Sequence, residues 1–257
     1  MQKEANNQSW PPFLAPMRGV LERLRPPEGP FSPNGEWEHR YAVCILGPER
    51  QAKAEHVQPY GTLVLKRKPA GDGACTLEVD LLTRARAGSE LHTRASLTCA
   101  ADQLATPRKW ELRADIVENG TPAPELSVAE TGTVEGGSVL RRGKVQRRMP
   151  VRRPFTTNWS LLEALGRMPF EGSEALQFDL IEDLDLFKAG QRLLSVGSVT
   201  LDLAGGPLRL HGFRQIGHGV LPVHYWLDDQ HRLLVSSGSL RGLIWDPDGS
   251  LTRKGKS

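Results

Sequence analysis

Four of the seven histidines, His211, His218, His224 and His231, fall at intervals of seven, six and seven residues. This matches no common zinc spacing, so no metal is expected from them. Nucleophilic catalysis finds no better support. There is no Gly-x-Ser-x-Gly elbow, and no serine has a neighbourhood that suggests an activated hydroxyl. A phosphate-binding loop and a dinucleotide fingerprint after a strand are both missing. The segment from Asp246 to Gly249 has the Asp-x-Asp-Gly spacing of a calcium loop but lacks the later glutamate, and reads as a turn. No catalytic residue and no cofactor are therefore expected, and the chain reads as a non-enzymatic binding protein.

Charge is arranged in two blocks. Between Glu171 and Asp185 stand Glu171, Glu174, Asp179, Glu182, Asp183 and Asp185 with no basic residue. On a strand, Asp183 and Asp185 would share one face with Leu184 and Leu186 on the other, so the acids are expected on a solvated face. The opposite block runs from Arg141 to Arg153. Arg141, Arg142, Lys144, Arg147, Arg148, Arg152 and Arg153 lie there without one acidic residue. It reads as an exposed loop able to dock an anionic partner, or as one neutralised by the acidic stretch beyond the next helix. No aromatic residues interleave with the arginines as base-stacking platforms, so specific nucleic-acid binding is not expected. The overall net charge of +3 adds nothing to that case.

These blocks must be positioned by a largely β framework. Residues 1–35 form a proline-rich extension with one helical signal, in which Met17, Val20, Leu21 and Leu24 follow Pro16 at i, i+3, i+4, i+7 spacing. A helix this short is marginal alone, so its stripe should lie on the main body. Residues 36–257 read as a single antiparallel β domain with one helix near 158–167. Trp159, Leu161, Leu162 and Leu165 supply the apolar positions of that helix, and Ser160 with Glu163 has capping-box spacing. No stretch approaches the run of about 18 apolar residues that a membrane helix needs. The opening Met1–Pro12 is polar, which places the chain in the cytoplasm, or in an exported, periplasmic setting if a leader has been removed.

Two hairpin registers can be read. A hairpin centred on Ala87 sets Leu77 opposite Leu97, Val79 opposite Ala95 and Cys75 opposite Cys99, with Glu78, Asp80, Arg94 and Ser96 on the other face. Cys75 and Cys99 are then close enough to form a disulfide in an oxidising compartment. A second turn at Asp228–His231 sets Trp226 opposite Leu233 and Tyr225 opposite Leu234. Both faces of that hairpin are apolar, so both should be covered.

From Trp159 to Asp246 the chain resembles bacterial β-sheet proteins of unknown function. The residues that carry this are Asn-Trp-Ser-Leu-Leu-Glu on the helix, Phe178-Asp-Leu, a Gly-Gly-Pro-Leu-Arg-Leu strand, and Leu221-Pro-Val-His-Tyr-Trp-Leu-Asp-Asp-Gln-His-Arg-Leu-Leu followed by Ser236-Ser-Gly. That family is similar to the LolA-like half-barrels, in which a curved antiparallel sheet wraps a helix and whose relatives are commonly exported and carry lipid moieties. The resemblance implies a half-barrel-like sheet around one helix and a carrier or sensor of an apolar, lipid-like ligand. A protein-interaction module docking through the basic loop is the alternative. An apolar cavity of several hundred Å³ would favour the first.

Overall fold

The computed structural model describes residues 10–11, 14–46, 59–84, 88–151, 153–172, 174–203, 205–238 and 241–252. Arg152 and Ala87 lie outside the described residues. Alternating apolar and polar side chains produce a succession of strands, β1 (Trp37–Ile45), β2 (Pro59–Pro69), β3 (Cys75–Arg84), β4 (Ser89–Cys99), β5 (Pro107–Glu118), β6 (Thr121–Pro122), β7 (Val128–Glu135), β8 (Ser138–Arg142) and β9 (Gln146–Pro150). After β10 (Phe155–Thr157) come β11 (Leu176–Glu182), β12 (Leu186–Leu203), β13 (Gly206–Ile216), β14 (Val223–Leu227), β15 (Leu233–Ser237) and β16 (Arg241–Trp245). The α-helices among the described residues are α1 (Arg18–Leu21), entered through a 3-10 turn at Ala15–Met17, and α2 (Asn158–Leu165).

All sixteen strands belong to one curved, unclosed sheet. Its path runs from β10 through β16 in sequence order, then to β1, on to β5, and through β7 and β8 to β9, with β6 attached to β5. The mostly β, half-barrel-like class expected from the sequence is the class observed. The free edges, β9 and β10, are consecutive in the chain and joined by residues 151–154 alone. At roughly 3.3–3.6 Å of reach per residue, so short a link holds the edges near each other and keeps the sheet curled. The β10–β11 pair is parallel, with α2 in its crossover. The other strand pairs are antiparallel.

The β3–β4 register is the one expected, with Cys75 opposite Cys99, Leu77 opposite Leu97 and Val79 opposite Ala95. The second hairpin differs. Trp226 pairs with Val235 and Tyr225 with Ser236, two residues beyond the expected partners. The turn is longer because Asp228 N donates to Arg232 O while Asp228 Oδ1 accepts from the backbone of both Gln230 and Arg232. His231, at φ 67°, takes the left-handed position this requires, and a bulge at Leu227 absorbs the odd residue.

Both faces of this part of the sheet are covered. Tyr41 opposite Trp245 and Val43 opposite Leu243 share the concave face; Ala42 opposite Ile244 and Cys44 opposite Gly242 share the outer one. The extension packs outside. A Cβ on Gly242 would lie 2.8 Å from Met17 Sδ and 3.0 Å from Leu46, so Met17 rests on bare backbone there. Met17, Val20, Leu21 and Leu24 are all buried, which removes the stripe from water.

Candidate functional site

Helix α2 occupies the concave side. Thr157, rather than Ser160, is its N-cap. Ser160 N donates to Thr157 Oγ1, and Thr157 N donates to Ser160 Oγ, both at 3.0 Å. The capping box thus uses Thr157 and Ser160, one turn earlier than the Ser160–Glu163 spacing suggested, and Glu163 is left for other work. Every residue from Trp159 to Leu165 is buried, as an interior helix requires.

The C-terminal end of α2 is tied down by charge. Glu163 Oε1 accepts from Arg67 Nε at 2.9 Å and from Arg167 Nε at 3.0 Å, while Oε2 accepts from Arg167 Nη2 at 2.9 Å. Arg67 Nη1 also donates to the carbonyls of Asn34 and Gly35, and Arg167 Nη1 to that of Asp102. The buried pair thus gains further hydrogen-bond partners beyond its own contact, which helps buried ions to be tolerated. Segment 29–37 lies across this end. Arg232 donates to Gly29 O and stacks over Phe31, and Trp37 Nε1 donates to Pro33 O. The pKa of His39, stacked on Trp37, is dropped from 6.5 to about 3 by burial and then by the Arg232 charge, so it is neutral, and its Nδ1 shares a hydrogen bond with Tyr41 Oη at 3.2 Å.

Beside this anchor stand Cys75 and Cys99, buried and present as free thiols. They share a hydrogen bond, which lowers Cys75 and raises Cys99, the latter also through burial. The expected proximity is therefore present.

The other end of α2 faces open volume. A cavity of about 480 Å³ lies between the helix and the concave sheet, walled by Trp159 and Leu162 from α2, Leu63 and Leu81 from β2 and β3, Leu180 from β11 and Leu243 from β16. Tyr225 and Gln215 supply a polar point on its wall. Tyr225 Oη donates to Gln215 Oε1 at 2.7 Å, Gln215 Nε2 donates to Gln191 Oε1, and Gln191 Nε2 ends the relay on the His218 carbonyl. Burial and then Glu182 push the Tyr225 phenol upward, keeping it a neutral donor. A second cavity of about 430 Å³ adjoins the first, and Leu81, Trp159, Asp183 and Arg241 line both.

The basic run borders this second cavity, in a form the sequence did not suggest. It is a β8–β9 hairpin rather than a loop, with Arg141 opposite Arg147. Arg141 is buried and engaged, not exposed. Its Nε and Nη2 contact the two Glu130 carboxylate oxygens at 2.6 and 2.8 Å, and Nη2 also reaches Asp185 Oδ1 at 2.6 Å. The acidic stretch beyond the helix does neutralise part of the run. Lys144 and Arg147 line the second cavity, whereas Arg142 lines a groove elsewhere and Arg153 stands beside Gly190. Arg148 is exposed near Gly136. The structure thus disperses the described members of the set.

Asp183 and Asp185 do not share a strand face. Asp183 and Leu184 have φ of 49° and 58° and form the turn between β11 and β12. Asp183 is joined to the start of α2 by two 2.8 Å bonds, Asn158 Nδ2 to its Oδ1 and its own N–H to Asn158 Oδ1. The four histidines are likewise separated in role. His211 pairs with Asp229 at 2.7 Å, and it and His231 sandwich the Phe170 ring at 3.8 and 3.9 Å. Among the described residues no three His, Cys, Asp or Glu side chains group as a metal site. A wider groove of about 670 Å³, lined in part by Lys66, Glu78, Asp80, Arg94 and Arg113, is a face of alternating charge. Lys66 and Arg113 there are already paired with Glu38 and Asp115.

No family model matches this sequence, and no curated protein matches it. Among solved structures the fold is similar to a beta-barrel-like protein of the domain of unknown function DUF1849 from Brucella abortus. The match has a TM-score of 0.55 at 9% identity and covers 82% of this chain and 96% of that one. At that identity it establishes a beta-barrel-like fold and nothing about ligands.

Proposed function

We propose that the chain is a non-enzymatic carrier or sensor that holds an apolar, lipid-like molecule between α2 and the concave sheet. The observation that carries this reading is the cavity of about 480 Å³ walled by Trp159, Leu162, Leu63, Leu81, Leu180 and Leu243. Its size falls within the roughly 300–1,000 Å³ of small-molecule sites, and such sites combine apolar walls with a few placed polar groups. The Tyr225–Gln215 pair is such a group. The openings are apolar as well. Leu91, Val128 and Val145 line the second cavity and Leu221 the first, so four of the seven large apolar side chains exposed among the described residues sit at these openings. Clustered exposed apolar surface marks contact with a ligand or membrane rather than ordinary solvated surface. The similarity of Trp159–Asp246 to LolA-like half-barrels points the same way. The absence of a nucleophile elbow or phosphate loop from the sequence supports a role without catalysis.

The test is mass spectrometry of organic extracts from protein purified without detergent, beside a saturation titration with a fluorescent apolar probe. An apolar molecule should co-purify or the probe should bind at one saturable site, and filling the cavity by Leu162→Phe should remove that binding while the fold persists. Absence of both co-purifying molecule and saturable probe binding in the wild-type chain would overturn the reading.

A further inference from the structure

Resting on that reading, we propose that the ligand is an amphiphile with an anionic headgroup, its chain against Trp159 and Leu162 and its head held by Lys144, Arg147 and Arg241. The two cavities adjoin through Leu81, Trp159, Asp183 and Arg241, so a chain in the first places its polar end in the second. The charges around that second cavity can be followed individually. Arg141 is held between Glu130 and Asp185, a trio that retains one negative charge. Asp183, held by Asn158, is a third carboxylate on the same cavity. Beyond Arg141 stand three exposed cations. Lys144 Nζ meets only the neutral Glu125 carbonyl, at 3.3 Å, and neither Arg147 nor Arg241 forms an ion pair with a described residue. With Arg141, four cations and three carboxylates line this cavity, an excess of one positive charge. The three cations without a carboxylate partner favour a carboxylate or phosphate, which guanidinium and ammonium groups recognise by charge-assisted hydrogen bonds.

The placement also explains why Arg147 and Arg241 lie on strands, with Lys144 in the β8–β9 turn. Register sets Arg147 opposite the fixed Arg141, so the β8–β9 ladder aims it toward the cavity and does not leave it on a mobile loop. Arg241 opens β16 from across the cavity, two residues before the wall residue Leu243. The headgroup site is thus assembled from two sheet segments on either side of the apolar opening.

The experiment is isothermal titration of the full chain with oleate, oleyl alcohol and inorganic phosphate, below the micellar range. It is repeated on the triple variant Lys144→Gln, Arg147→Gln, Arg241→Gln and on Arg241→Gln alone, with thermal melts confirming folding. Oleate should bind the wild type at least about tenfold more tightly than the alcohol, a difference of about 1.4 kcal/mol. The triple variant should lose that preference yet bind the alcohol as before, and Arg241→Gln should lose part of it. Equal affinity for oleate and alcohol in the wild type, or an undiminished preference in the triple variant, overturns the headgroup assignment and leaves the apolar cavity standing. Phosphate binding as tightly as oleate overturns it too, because the chain would then contribute nothing. Failure of the wild type to bind either oleyl compound defeats both readings together.

Discussion

The two ends of α2 contrast in how charge is used. At the C-terminal end, Glu163 meets Arg67 and Arg167 within 3.0 Å, Arg67 Nη1 donates to Asn34 and Gly35, and segment 29–37 closes over them. At the N-terminal end, Asn158 holds Asp183, and beyond it Lys144, Arg147 and Arg241 border volume that no side chain fills. Both ends are rich in basic groups. Only one has cations without carboxylate partners, and that end also adjoins the apolar cavity. Spare charge beside unfilled volume, rather than charge density, is what separates a binding surface from a structural joint.

The contrast can be broken most directly at Glu163. Glu163→Ala leaves Arg67 buried without its counter-ion and should cost about 3–5 kcal/mol, read as a fall in the denaturation midpoint. Arg147→Gln at the other end should stay within about 0.5 kcal/mol, as surface changes do. Similar losses in the two variants would show that the ends are not held differently.

A second effect belongs to the anchored end. Cys75 and Cys99 face each other there as cross-strand partners. Mild oxidation should join them, and the bridge should raise stability by roughly 3 kcal/mol in the chain-entropy model. Peptide mapping after oxidation checks the link and urea melts with and without reductant check its effect. A pair that stays reduced under oxidants that bridge ordinary vicinal strands would place the thiols further apart than the register implies.

The smallest effect separates two leucines one turn apart. Leu165 is fully buried in packed surroundings, whereas Leu162 borders the cavity. Leu165→Ala should cost about 2–5 kcal/mol, and Leu162→Ala should fall at or below the low end, because part of its surface already lacks neighbours. Equal costs would mean that the cavity wall is as tightly packed as the anchor.

The sequence exposes some of this arrangement and hides the rest for definite reasons. The Cys75–Cys99 register is readable because apolar and polar residues alternate from Cys75 to Leu81 and from Arg94 to Cys99. The Trp226 hairpin is misread because Arg232 belongs to the turn and the bulge at Leu227 adds a second residue, so Trp226 and Tyr225 pair two positions further on. The anchor escapes detection because Arg67 sits between Lys66 and Lys68 in a run that looks uniformly solvated, and its partner is 96 positions away. A signal does exist. Glu163 follows Trp159 by one helical turn, on the buried arc, where an acid requires a counter-ion. The basic run conceals its own order, since seven cations mask the alternation that makes β8 and β9 a hairpin, and the partner acids of Arg141 lie on β7 and in the β11–β12 turn.

The pairing of β1 with β16 also has a consequence in time. Tyr41 meets Trp245, about 200 residues later in the chain. At roughly 5–20 residues per second of synthesis, the edge of β1 emerges some 10–40 s before its partner. Throughout that interval Tyr41, Ala42 and Val43 present an unpaired apolar edge, the kind of surface on which nascent chains join one another. The molecule is therefore most vulnerable on the ribosome, before its last strand exists to be paired.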